Sequence, residues 1–316
     1  MINNFFFLIK IIRVFKRHAL LNLISSSIRF KILFRIFTEI IAIGTFKDQT
    51  ISKEKNGIRI AKALNELGPS FVKLGQLIST RPDIVGNEIA EDLSLLRDNL
   101  PPFSQSEAIK IIESELGNKI GAIFQNFSKP IAAASIAQVH YGEIVEGGKT
   151  ISVAIKVLRP NIDTIIYQEM ERLEWLTSFM ENFSEFKRLR PKSIIQKAKE
   201  VIKFELDLRY EAAAASELSE NTKIDETFYV PKIYWEKVSK RVLTMEKVNG
   251  TPADKIKKLI DNNFNIKKSA SNLIVNFLRQ AIRDGYFHAD LHQGNLFLNK
   301  EGNLLAVDFG IMGRLD

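Results

Sequence analysis

No cysteine occurs in these 316 residues. Disulfides, thiolate-held zinc and cysteine nucleophiles are therefore excluded, and the absence fits a reducing compartment. Histidine is scarce: there are four, and two fall within the stretch "HADLHQGN" at 288–295. Internal repeats and low-complexity tracts are also missing. At the N-terminus the apolar runs are interrupted by Lys and Arg. They fall short of the ~20 residues that span a bilayer, and no cleavage site follows them, so neither a transmembrane helix nor a signal peptide is expected there.

Net charge is +8, with 45% hydrophobic and 26% charged residues, an ordinary globular composition of a length that fits two lobes. The surplus is concentrated. Residues 1–47 hold Lys10, Arg13, Lys16, Arg17, Arg29, Lys31, Arg35 and Lys47 against Glu39 alone. The body is almost neutral and offers no basic face for nucleic acid, so no nucleic-acid partner is expected. Lys10, Arg13 and Arg17 share one helical face, and Phe7, Ile11 and Phe15 another. Such a helix either lies in a membrane interface, cations against anionic lipid, or docks on the protein's own body. The richness in Phe and Ile beside cations favours the membrane, and residues 1–47 are expected to be a basic amphipathic membrane-contact segment.

Residues 48–125 read as a helical extension. "GIRIAKALNELG" stops at Gly68, "PSFVKLGQLIS" follows, "RPDIVGNEIAEDLSLLRDNL" reads as one more helix, and Ser104 with Glu107 forms a capping box before Gly117. Residues 126–250 begin with two strands, "IAAASIAQVHYGEIV" and "KTISVAIKVLRP", turning at Glu146-Gly147-Gly148. Helices fill 161–221, with "IIQKAKEVIKFELDLRYEAAAASELSEN" a single long one. "FYVPKIYWEKV" and "RVLTMEKV" are two further strands. Residues 251–316 hold a helix, "SASNLIVNFLRQAIRDGYF", then the histidine loop and a hairpin turning at Glu301-Gly302-Asn303. Strands on both sides of long helices give an α+β arrangement with a small antiparallel sheet.

"HADLHQGN" admits two chemistries. A zinc protease pattern would be H-E-x-x-H on a continuous helix, but here the segment lies between Gly285 and Gly294 and reads H-A-D-L-H. Phosphoryl transfer needs a carboxylate at the attacking hydroxyl, then an amide and a second carboxylate that ligate metal. Asp290 precedes Asn295 by five, and Asp308-Phe309-Gly310 follows after a hairpin-like run. Either motif alone is weak; the ordered pair is specific. Upstream, V-A-I-K places Lys156 in a β-branched strand, where a lysine would hold nucleotide phosphates. A strand-end lysine with its head in water is the plainer reading of the same residue. The loop that should be rich in glycine carries alanines instead, at Ala132, Ala133, Ala134 and Ala137. A Cβ there restricts close approach to phosphate. "LTMEKVNG", 243–250, would meet adenine through its backbone.

These motifs together resemble the UbiB family of atypical, protein-kinase-like proteins linked to ubiquinone (coenzyme Q) biosynthesis. The carriers are "FVKLGQ" with Lys73, Gly75 and Gln76, "AAASIAQVH", "VAIK", "FELDLRYEA" with Glu205 and Asp207, "HADLHQGN" and "VDFG". The resemblance covers about residue 60 to the end. It implies an α+β, protein-kinase-like fold with a small antiparallel-sheet N-lobe, a helical N-terminal extension and a truncated C-lobe. It implies ATP and Mg²⁺ as cofactors. Nucleotide would be bound by Lys156, by Glu246 and Val248, and by the loop Ile131, Ala132, Ala133, Ala134, Ser135, Ile136, Ala137, Gln138 and Val139. Asp290, Lys156 and Asn295 would be catalytic, with Asn295 and Asp308 on the metal. Lys73 and Gln76 would meet Glu205 and Asp207 and suppress ordinary protein phosphorylation. Glu169 and Glu171 follow Lys156 closely in sequence, but the resemblance points to the second helix with Glu205, Asp207 and Glu211, of which Glu211 is favoured as the lysine's partner. Quinone-biosynthesis proteins become the expected partners, and the cytoplasmic face of a bacterial inner membrane the expected place. A small-molecule phosphotransferase and a non-catalytic ATP-binding scaffold are the alternatives. A kinase-like C-lobe needs more chain after "GIMGRLD", so a fragment with exposed apolar surface is expected.

Overall fold

The computed structural model describes residues 2–21, 38, 41–45, 54–94, 101–182, 187 and 190–315. Arg29, Lys31, Arg35, Glu39 and Lys47 of the basic segment lie outside them. By packing, the chain divides into two units: Met1–Pro101 with Ala133–Ile136 and Asn161–Lys203, and Pro102–Ala132 with Ala137–Pro160 and Phe204–Asp316.

The first unit is helical. It holds α1 (Ile2–Arg17), α2 (Asn56–Leu67), α3 (Pro69–Ser79), α4 (Pro82–Val85) and α5 (Asn87–Ser94). Where the sequence reads as one helix after Arg81 there are two, because Gly86 takes φ 86° between α4 and α5. Gly57 lets α2 and α5 touch: a Cβ there would meet Asp92 Cβ at 2.4 Å. Leu64, Leu67, Phe71, Val72, Ala90 and Leu93 are buried in this unit.

Helix α1 is docked on its own chain. Phe7 and Ile11, expected to face lipid, are buried, and Phe15 partly so. Phe7 lies 5.9 Å from the Phe71 ring. Lys10 Nζ donates to Leu67 O at 2.7 Å. Arg17 and His18 both meet Glu66, His18 at 2.8 Å. Buried Arg59 donates to the carbonyls of His18 (2.9 Å) and Ala19, satisfying the helix C-terminus. α2 offers the Glu66 carboxylate to Arg17 and His18 and its end carbonyl Leu67 O to Lys10. Among the described residues no helix is long and apolar enough to cross a membrane.

In the second unit α6 (Gln105–Leu116) carries the expected capping box and ends at left-handed Gly117; α7 (Ile120–Ile123) follows. A four-stranded sheet has the order β1 (Ala132–Ala133), β2 (Ala137–Glu146), β3 (Lys149–Leu158), β5 (Val242–Glu246). The β2–β3 hairpin turns at Gly147-Gly148, φ 58° and 75°, as a two-residue turn with both φ positive requires. Alternation sends Val153, Ile155 and Val157 to one face, where they pack with Ile112 and Phe124. Ala154 and Lys156 face the other way. The run 131–145 is not one strand, since residues 134–136 break it.

The helices α8 (Ile162–Met180) and α9 (Pro191–Glu205) precede α10 (Leu208–Asn221). The long helix expected over 194–221 is broken at Asp207, whose carboxylate caps α10 by accepting Arg209 N–H at 3.2 Å. The segment after Phe228 is not a full strand either. β4 (Phe228–Tyr229) pairs in parallel with β9 in a second sheet of order β4, β9 (Leu304–Ala306), β8 (Leu296–Leu298), β6 (Thr251–Pro252). Pro231 lacks the N–H to extend it. After α11 (Ile256–Asp261), α12 (Ile266–Leu278) passes into a π-helical turn, Arg279–Arg283, and then β7 (Tyr286–His288). β7 pairs antiparallel with β10 (Met312–Arg314). Ile274 and Ile282 are 62% and 78% exposed, an apolar surface in solvent.

Candidate functional site

The site is built in the second unit around Lys156. Its Nζ donates to both oxygens of Glu211, each at 2.9 Å, and lies 3.3 Å from Asp308 Oδ2. Glu211 comes from the first turn of α10 and is buried; Lys156 is 14% exposed and Asp308 48%. Burial works against the lysine's charge, but Asp308 and Glu211 outweigh it and raise its pKa. Burial, with the like charge of Asp308, pushes Glu211 up, and Lys156 opposes this. Two carboxylates thus face one ammonium.

The residues of the 288–295 loop and Asp308 are held by backbone bonds. Ala289 N–H donates to Ile311 O at 3.1 Å, and Val307 N–H to Asn295 O at 2.9 Å, so Asn295 and Asp308 leave the same end of the β8–β9 hairpin. Asn295 Nδ2 donates to Asp290 O (3.1 Å) and Asp290 Oδ2 (3.2 Å). His288 is 1% exposed and braces both sides of the loop. Its Nδ1 accepts Asp290 N–H at 3.1 Å, so its Nε2–H donates to Asp308 O at 2.8 Å. Burial depresses its pKa, which keeps this neutral tautomer. His292 Nδ1 accepts Gly294 N–H at 2.9 Å, and its Nε2 lies 3.7 Å from Asp290 Oδ2. Asp308 takes φ 66°, an uncommon conformation for a side-chain-bearing residue and one that clusters at functional positions.

The other expected site residues fall as follows. Ile131, Ala132, Ala137, Gln138 and Val139 belong to the second unit, Ala133–Ile136 to the first. Val139 pairs with Lys156 across β2–β3 and shares its face. Gln138 is fully buried and committed elsewhere: its carbonyl accepts Phe103 N–H at 2.9 Å and its amide donates to Phe103 O at 3.3 Å. Glu246 accepts from Tyr229 Oη–H and from Lys232 N–H. Among the described residues, neither the N–H nor the C=O of Val248 enters a backbone hydrogen bond, so both remain usable by a planar ligand. Lys73 and Gln76 lie in the first unit, Glu205 and Asp207 in the second.

Two supports escaped the sequence reading. Gln280, in the π-helical turn, is fully buried and its carbonyl accepts His288 N–H at 3.2 Å. Asp225, just past α10, accepts from Arg279 Nη1 (3.1 Å) and Arg283 Nη2 (2.7 Å). The first depends on a π-turn that propensity does not reveal, the second on a sequence separation beyond any local spacing rule.

Among the described residues, no three His, Cys, Asp or Glu side chains could hold a metal ion by themselves. The oxygen set is Asp308 carboxylate with the amide oxygen of Asn295, whose nitrogen is engaged by Asp290. One carboxylate and one amide oxygen fit Mg²⁺ arriving with phosphates, not a protein-only cage.

Residues 95–316 match the ABC1 atypical kinase-like domain. The chain is 38% identical over 273 residues to a probable protein kinase UbiB of Pseudomonas putida (strain W619), covering 84% of this chain and 50% of that protein. It is 37% identical over 314 residues to a probable protein kinase UbiB of Cellvibrio japonicus (strain Ueda107), covering 98% and 55%. The chain thus spans about half the length of the curated relatives it matches. Among solved structures it is similar to Rv3197 of Mycobacterium tuberculosis in complex with erythromycin, with TM-score 0.54 and 27% identity over 79% of this chain and 63% of that one. The fold is α+β and protein-kinase-like, and the chain belongs to the UbiB family of ABC1 atypical kinase-like proteins.

Proposed function

We propose that the protein is a Mg-ATP-dependent atypical kinase or ATPase that supports ubiquinone biosynthesis at a membrane surface. The observation that carries this reading is the Lys156–Glu211–Asp308 cluster beside the Asp290–Asn295 loop. Bound Mg-ATP would supply the transferable phosphoryl group. Lys156 would hold phosphate oxygens while Glu211 keeps its ammonium in place. Asn295 and Asp308 would give oxygens to Mg²⁺. Asp290 would take the proton from a water or substrate hydroxyl as that oxygen bonds to phosphorus and the bond to the departing phosphate oxygen breaks. The backbone of Val248 would face the adenine. Quinone-biosynthesis proteins as partners, and a place at the cytoplasmic face of a bacterial inner membrane, belong to the same reading. Support for it comes from the bacterial relatives named probable protein kinases and from the exposed Phe5 and Phe6 beside the cations of α1.

Phosphate release by the intact protein with Mg-ATP, measured with and without anionic liposomes and with Asp308→Asn, is the test. Turnover that needs Asp308 and rises on liposomes is the expected result. Nucleotide binding with no turnover in any condition would overturn it in favour of a scaffold. A small-molecule phosphotransferase is the second reading, favoured by the erythromycin bound to the mycobacterial neighbour. Stoichiometric conversion of ATP into a phosphorylated hydroxyl compound would select it.

A further inference from the structure

Docking of α1 on α2, α3 and α8 leaves a cavity of about 330 Å³ in the first unit, lined by Asn3, Phe6, Phe7, Lys10, Glu169 and Arg172. That volume is at the lower end for small-molecule sites, enough for a headgroup but not for acyl chains. Its polar groups are unusual in what they leave undone. Arg172 sets its guanidinium 5.8 Å from the centre of the Phe7 ring and enters no hydrogen bond or ion pair among the described residues. Glu169, one helical turn earlier on α8, has Oε2 buried without a hydrogen-bond partner. The two do not pair with each other. Lys10 uses one of its three donors on Leu67 O. At the outer side Phe5 and Phe6 are 52% and 63% exposed.

We propose that this cavity binds the headgroup of a phosphatidylethanolamine molecule in the membrane; the proposal rests on the membrane-surface reading above. Two cationic donors select a phosphate, and Arg172 presents the planar fork that suits it. The unpaired carboxylate oxygen of Glu169 selects a hydrogen-bond donor on the same molecule, which a primary ammonium supplies. A choline headgroup has no N–H for Glu169, and the Phe7 ring it would need is already held between Arg172 and Phe71. A headgroup with no cation would set phosphate charge beside an uncompensated carboxylate. Exposed Phe5 and Phe6 would enter the interface beside the bound lipid, as aromatic residues do at that depth.

The test is flotation of the intact protein, without nucleotide, on vesicles of phosphatidylcholine alone, with added phosphatidylethanolamine, or with added phosphatidylglycerol. Wild type is expected to bind the ethanolamine vesicles about tenfold more tightly than choline vesicles, the worth of one charge-assisted hydrogen bond. Glu169→Gln should erase that preference, and Phe6→Ser, at an exposed position, should weaken binding to every vesicle. Equal binding to ethanolamine and choline vesicles, or a preference that survives Glu169→Gln, would overturn the proposal while membrane binding stands. Binding to no vesicle would remove the membrane reading and this proposal together. Soluble glycerophosphoethanolamine should compete poorly; competition as strong as that of vesicles would reject a membrane source.

Discussion

Lys156 and Arg172 are both partly buried cations on regular elements, and their surroundings are opposite. Lys156 meets two carboxylates, one buried and one half exposed. Arg172 meets an aromatic face, and the carboxylate one turn away does not bond to it. An ammonium bonded to both oxygens of a buried carboxylate is fixed in place, as the proposed contact with phosphate oxygens requires. A guanidinium with unused donors beside an unused acceptor favours a ligand carrying both signs. Counting cations in the sequence treats the two as equivalent; what surrounds each decides its chemistry.

The largest test removes the lysine. In Lys156→Met, phosphate release should fall on the order of 10²–10³-fold, since an electrostatic group at the transferring phosphate is lost. The protein should also lose about 3 kcal/mol of stability in chemical denaturation, because buried Glu211 loses the ammonium that bonds both its oxygens. Turnover within twofold of wild type would mean that Lys156 is merely a buried ion pair, and the contrast with Arg172 would collapse.

Asp225 reverses the signs of the Lys156 cluster: one buried carboxylate, 2% exposed, between two guanidinium groups. The hydrogen bond from Arg283 is the main force holding its pKa below 3.8, against the cost of burial, and the charge of Arg279 adds to it. Ionised Asp225 therefore contributes stability that is full above pH 3.8, falls as pH drops towards its folded-state pKa, and is gone below that. Asp225→Asn should cost about 2 kcal/mol at neutral pH and flatten the acid limb of stability below pH ~4. An unchanged acid limb would show that the arginines do not hold this carboxylate.

A smaller effect is expected at Gln280. Gln280→Leu would leave the buried His288 N–H without its acceptor and cost about 1–2 kcal/mol. If Gln280 positions the loop through His288, kcat should fall while the KM for ATP holds. Equal losses in both would make its role general packing.

What the sequence revealed, and what it hid, follow the range of the forces involved. Asp290, Asn295 and Asp308 were legible because a loop and a hairpin place them by short spacings. Lys156 was legible because a β-branched strand alternates. The capping box at Ser104 and Glu107 and the turn at Gly147-Gly148 are equally local. Asp207 misled because its helix-capping preference competes with a strong helical pattern on both sides. Phe7 and Ile11 misled for another reason: an amphipathic face records that something apolar covers it, not whether lipid or protein does. Arg59 and Glu66, whose bonds dock the end of α1 on the protein, lie some fifty residues away. The Asp225 and Gln280 contacts needed the fold itself.

The smallest expected effect sharpens the opening contrast most. Arg172→Gln removes a guanidinium whose one described contact is the Phe7 ring, so stability should change by no more than about 0.5–1 kcal/mol. Lys156→Met should cost several times that. A loss as large at Arg172 as at Lys156 would mean that Arg172 already has a strong partner within the protein. A small loss would leave its donors available, as recognition of a phosphate requires. Glu169 makes the check internal. Glu169→Gln keeps the shape and removes the charge, so the melting temperature should move by a degree or so in either direction. A large gain on neutralising Glu169 would expose strain from a buried carboxylate that no ligand is needed to explain.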